Sequence, residues 1–249
     1  PQGTVTDQVG APMPGLRVRL LLSGQVADQR VTDEDGWYQF LDLEFLAEAY
    51  DFNPVEDGYV VAVVLQDAVE GAPRFEIRYG PQGVLPEVRR GPLTVEADPT
   101  CRVDFAFADI GDEYAVAAGP GSPDEWRSLA LAYQGIRKAH AFAAYSLGSP
   151  LTMTPLPVFM FCQGNPPGVH GQPCQSSPAY FRGGFSTDEE PEGPPFVAFS
   201  IPMSRRWNTG ERPVNGEYHE FGHALMADAF GGFMPAFPDS DNHAGYRNP

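Results

Sequence analysis

"GTVTDQVGAPMPGLRVRLLLSGQVADQRVTDEDGWYQF", Gly3 to Phe40, sets short alternating runs between clusters of Gly, Pro and Asp. Leu16, Val18 and Leu20 share one side of an extended segment, and Trp37 and Gln39 lie opposite Tyr38 and Phe40 in another. Alternation of period two, broken by turn residues, means strands and tight turns. Asp33-Glu34-Asp35-Gly36 has the composition of a hairpin turn, with Gly36 free to take a positive φ. Further strands are expected at 59–65, 75–79, 93–97 and 102–107.

The bulk composition agrees. The 249 residues suit one large domain or two of ordinary size. With 42% hydrophobic residues the chain can bury a real core, which excludes global disorder, and its 26 prolines and 27 glycines favour turns and β-structure over a helical bundle. A net charge of −17 argues against nucleic acid and anionic membrane surfaces as partners, and serves solubility. No apolar run reaches eighteen residues, so no membrane span is expected. The chain begins at Pro1 without a basic-then-apolar leader, the mark of a processed protein or a fragment. Of three cysteines, Cys162 and Cys174 bracket "CQGNPPGVHGQPC", whose ends can meet. A disulfide there is expected in an exported protein, leaving Cys101 unpaired. A metal knuckle using His170 between them fits no common zinc spacing.

Gly3-x-Val5-x-Asp7, Gly10-x-Pro12-x-x-Gly15 and Thr32-Asp33-x-x-Gly36-x-Tyr38-x-Phe40 together resemble the carboxypeptidase regulatory-like domain. The resemblance covers about the first 45 residues. It implies an all-β sandwich of transthyretin or Cna-B type, common in exported bacterial proteins, acting as a spacer, stability or interaction module. The expected domain closes near residue 108. The acidic turn at Asp33 reads as a solvated turn before it reads as a calcium site.

The remainder, 109–249, reads as α+β. Ser122 with Glu125 forms a capping-box pattern, Pro123 takes the first helical position and Gly148 follows the last periodic residue, predicting a helix over 123–147. Leu129, Ala132, Ile136, Ala139 and Ala143 share one face of it; His140 lies close by as a packed or surface histidine. Strands are expected at 157–161 and from Phe196 to Ile201, around a loop over 163–195.

A second helix carries the chemistry. In "GEYHEFGHALMADAFGG", Gly216 to Gly232, His219 and His223 are four apart and so stand one above the other on one face. Both imidazoles can then reach one tetrahedral zinc ion. Glu220, one residue round from His219, sits where a general base takes a proton from water activated by the metal. Gly222 leaves room on the metal face, while Tyr218, Phe221, Leu225 and Ala229 form the reverse, apolar face. Asn215 is expected to cap this helix and Gly231-Gly232 to end it.

The motif resembles the zincin metallopeptidases. Met226 and Ala229 stand where metzincins place a glycine and a third histidine, so the likeness is to the gluzincin, thermolysin-like group, whose third ligand is a glutamate on a later helix. That resemblance implies a Zn2+-dependent endopeptidase acting on a peptide or protein substrate. It also implies substrate binding along an edge strand, a role open to the segment from Phe196 to Ile201. For the third ligand the chain itself offers Asp228, Asp239, Asp241 and His243. His243, twenty residues beyond His223, is the strongest of these, but Pro235, Pro238 and Gly245 make its surroundings a loop. The preferred expectation is a ligand beyond Pro249, with His243 or Tyr246 then lining the cleft. The chain is thus read as a secreted or cell-surface bacterial zinc metallopeptidase. The competing reading is a non-catalytic extracellular binding or structural protein with a vestigial zincin-like half. Substrate preference and oligomeric state are not legible.

Overall fold

The computed structural model describes residues 1–40, 43–53, 56–69, 72–80, 82–95, 101–110, 114–152, 154–163, 179–182, 195–207 and 216–229. In chain order the strands are β1 (Gln2–Thr6), β2 (Leu16–Leu22), β3 (Gln25–Val31), β4 (Trp37–Gln39), β5 (Tyr59–Val69), β6 (Ala72–Tyr79), β7 (Glu87–Leu93), β8 (Phe105–Ala106), β9 (Ala115–Ala118), β10 (Leu156–Cys162), β11 (Ala179–Arg182) and β12 (Phe196–Ser200). The helices are α1 (Leu43–Ala49), α2 (Pro123–Ala141), α3 (Ile201–Arg206) and α4 (Gly216–Ala229); a π-helical turn, Phe142–Ser146, extends α2.

The chain is β-rich, with a three-stranded sheet β4-β1-β8 and a nine-stranded sheet along β11-β12-β10-β6-β5-β2-β3, to which β7 and β9 attach. The long strand β5 organises the larger sheet. One of its edges pairs with β2. Its other edge is shared: Tyr59 to Val64 pair with β7, and Gln66 to Val69 with β6. Alternation works as the sequence implies. Leu16, Val18, Leu20 and Leu22 are buried, while Arg17 and Arg19 face outward. The turn at Asp33 also forms: Gly36 takes φ +71, and the Asp33 carboxylate accepts the N–H groups of Asp35 and Trp37. It does not close a hairpin, however, because β3 pairs with β2 whereas β4 crosses to β1 in the smaller sheet.

One expected strand is displaced and another is shortened. β7 ends at Leu93, where a strand was expected to begin, and the 102–107 run contributes β8 and an isolated bridge from Arg102 to Gln2. The expected boundary near 108 falls between β8 and β9, and strands from both sides of it enter the nine-stranded sheet. Two ladders make the link: β6 runs parallel to β10, from Phe75↔Leu156 to Tyr79↔Met160, and β7 antiparallel to β9, from Glu87↔Ala118 to Arg89↔Ala115.

Helix α2 forms where periodicity places it and buries Trp126, Leu129, Ala132, Tyr133, Ile136 and Ala139. The capping box does not form: Ser122 makes no side-chain cap bond, and the Glu125 carboxylate instead accepts the Tyr79 hydroxyl at 3.0 Å. Polar side chains along α2 reach the first half of the chain. Tyr133 shares its hydroxyl proton between the Pro14 carbonyl (2.8 Å) and Asp67 Oδ1 (3.0 Å), and Gln134 donates to Asp7 at 2.8 Å.

β10 carries a bulge between Phe159 and Cys162, where Phe161 adopts φ +53. A side chain in the left-handed region needs surroundings that hold it. Here the buried Ser204 hydroxyl of α3 accepts the Phe161 N–H at 2.7 Å and reaches the Phe199 carbonyl at 3.3 Å. No helix among the described residues is long and apolar enough to cross a membrane.

Candidate metal centre

Helix α4 runs from Gly216 to Ala229 and packs against α2, β11 and β12. Its buried stripe is Glu220, Phe221, Ala224 and Ala227. Small residues at Ala224 and Ala227 suit a close approach to α2, whose His140 ring lies against Phe221. Of the residues expected on the reverse face, Phe221 is buried and Leu225 half-buried, but Ala229 is exposed, since the stripe turns through Ala224 and Ala227 instead. The Tyr218 side chain lies outside the described residues, as do Asn215, Gly231 and Gly232.

His219 and His223 stand one turn apart, with ring centroids 4.6 Å apart and ring planes at 88°. Their Nε2 atoms approach to 3.1 Å. Two zinc–nitrogen bonds of 2.0–2.1 Å at the tetrahedral angle would set those atoms about 3.3–3.4 Å apart. The spacing is close to that of two nitrogens on one ion, and it is also that of a ring N–H of one histidine donated to the ring nitrogen of the other. His219 is exposed, His223 half-buried and Glu220 buried at 6% exposure. A Cβ added at Gly222 would meet nothing within 4 Å, so this face of the helix is open among the described residues.

The other candidates separate clearly. Asp228 is committed elsewhere: one carboxylate oxygen accepts the Thr152 N–H and the other its hydroxyl, both at 2.6 Å. That ties the end of α4 to the segment after α2. His243, Asp239, Asp241 and Tyr246 lie outside the described residues, and no third His, Cys, Asp or Glu joins the pair among those described. His140 is packed, as expected: its ring lies 5.8 Å from that of Phe221 on α4, and neither ring nitrogen has a hydrogen-bond partner among the described residues. Burial, then the nearby Arg74, pushes its pKa down to about 4.

The segment from Phe196 to Ile201 is not an edge strand. β12 lies between β10 and β11, with all five residues buried, and Ile201 begins α3. Among the described residues the outer strand is β11, antiparallel to β12 and directly beside α4. A continuous apolar run, as in "FVAFS", signals a strand covered on both faces, and that signal pointed away from an edge. Cys162 at the end of β10 is disulfide-bonded and Cys101 is free; Cys174, the expected partner of Cys162, lies outside the described residues. No family model, curated protein or solved structure matches the chain.

Proposed function

We propose that the chain is a zinc-dependent metallopeptidase of zincin type, whose catalytic half, built around α4, shares the nine-stranded sheet with the first half of the chain. The observation that supports this reading is the 3.1 Å approach of His219 Nε2 and His223 Nε2 on a helix that also carries the buried carboxylate Glu220. A zinc ion bound there would lower the pKa of water to about 7 and polarise a peptide carbonyl. His219 and His223 would hold the metal. Glu220 would accept a proton from the attacking water and return it to the leaving amine. Gly222 leaves the face clear for a peptide. A further protein donor is required for a catalytic site, and His243 is the residue in this chain to test. The disulfide at Cys162 supports an extracellular location, where such bonds persist.

The competing reading, a binding or structural protein without turnover, draws on the lack of a third donor among the described residues. Metal analysis after dialysis separates the two. Zinc should remain with the unmodified chain and with Glu220→Gln, and be lost from His219→Ala. Hydrolysis of an unfolded protein substrate should fall about 100-fold or more in Glu220→Gln. Retention of no zinc by the unmodified chain would remove the basis for the peptidase.

A further inference from the structure

Where α2 passes the ends of β3 and β5, a cavity of about 410 Å³ opens between the two halves of the chain. Gly15, Thr32, Glu34, Arg74, Arg137 and Tyr145 are among its walls. That volume suits a small organic molecule rather than a bare ion.

Two guanidinium groups around one carboxylate set its chemistry. The Asp67 side chain is fully buried and accepts the Arg74 Nε–H and the Tyr133 hydroxyl. Arg137 Nε lies 3.9 Å from Asp67 Oδ1, too far for a hydrogen bond, and is itself buried without a partner. Arg137 Nη2 donates to Glu34 at 2.8 Å. The Glu34 side chain is 85% exposed, so solvent screens that pair and it holds weakly. Among the described residues, nothing else engages Nη1 of Arg137 or either Nη of Arg74. The cavity thus presents a set of uncommitted N–H groups on two planar forks, the donor geometry that best fits carboxylate and phosphate oxygens.

We propose that this cavity binds a small organic oxyanion, a carboxylate or a phosphate, between Arg74 and Arg137, with Glu34 as the side chain it displaces. Such a ligand joins the β-sheet half to α2, because Arg74 lies on β6 and Arg137 on the helix. The site is separate from the histidine pair and does not depend on it.

Calorimetric titration of the full chain with succinate, and separately with inorganic phosphate at equal ionic strength, tests the assignment and tells the two chemistries apart. One of them should bind saturably at one per chain. Arg137→Gln, which leaves the Arg74–Asp67 pair in place, should weaken binding about tenfold or more. Glu34→Gln should tighten it about 1.5- to 5-fold, while Glu56→Gln, outside the cavity walls, leaves it unchanged. The proposal is overturned if neither titrant saturates below about 10 mM. It is equally overturned if Arg137→Gln binds like the unmodified chain, or if both glutamate changes give the same gain, since bulk charge would then account for it.

Discussion

Replacing His140 by phenylalanine should stabilise the chain, and should do so more strongly as the pH falls. The imidazole is 5% exposed, rests on Phe221, and has a pKa of about 4 where the ordinary value is 6.5. Between those two values the unfolded chain binds a proton at this position and the folded chain does not. Stability therefore rises with pH across the window and is lost as the pH drops through it. Once the pH is below 4 the loss is complete, about 3 kcal/mol; at pH 5 it is about 2 kcal/mol relative to pH 8. For a chain of this length that corresponds to roughly 4–8 °C in Tm. Phenylalanine keeps the ring contact with Phe221 and removes both the titration and the two unpaired nitrogens. Urea unfolding of both proteins at pH 8, 6.5 and 5 supplies the comparison, because every other titrating group cancels in the difference. The stability gap should widen by about 2 kcal/mol from pH 8 to pH 5. A gap that stays constant with pH would mean that the folded chain protonates His140 readily, and the account of its burial would be wrong.

Three further outcomes follow from local geometry. Gly222→Ala should stabilise α4 by about 0.5–1 kcal/mol, since the added Cβ meets nothing within 4 Å and alanine is the better helix former; a lower melting temperature by circular dichroism would show that this face is covered. Asp228→Ala removes both acceptors of Thr152 and should cost about 1–2 kcal/mol, with faster hydrogen exchange at the Thr152 amide as the specific readout. Gly15→Ala should be the most damaging of the set, at least about 2 kcal/mol by urea unfolding, because residue 15 has φ +78 and the new Cβ would stand 2.4 Å from Asp67 Oδ1.

What could be read from the sequence was local. The histidine pair was legible because a four-residue spacing fixes two side chains on one helical face whatever surrounds them, and α2 because its apolar residues repeat at 3.6. The turn at Asp33 was legible in its own conformation, since Asp33 and Gly36 supply their own bonds and dihedrals, but the pairing of the strands it joins was not. Which strand accepts Trp37 depends on β1, more than thirty residues back. Glu125 had the right spacing to cap its helix, and lost that role to a tyrosine 46 positions away. β11, four residues long, was too short for any period to show.

The polar face of α2 helps explain why the sheet runs across residue 108, where the resemblance of the first half placed the end of a domain. Tyr133, Gln134 and Arg137 reach Asp67, Asp7 and Glu34, all in the first half of the chain. They press α2 onto the same sheet in which β6 lies parallel to β10. β10 accepts β6 on one edge and β12 on the other, so removing the first half would leave an apolar strand with an unpaired edge and α2 with stranded polar groups. The strand that supports α4, and with it the histidine pair, is thereby positioned by residues that a motif search would assign to an accessory module. Integrity of the candidate metal centre should accordingly depend on the β6–β10 ladder as much as on the helix that bears the ligands.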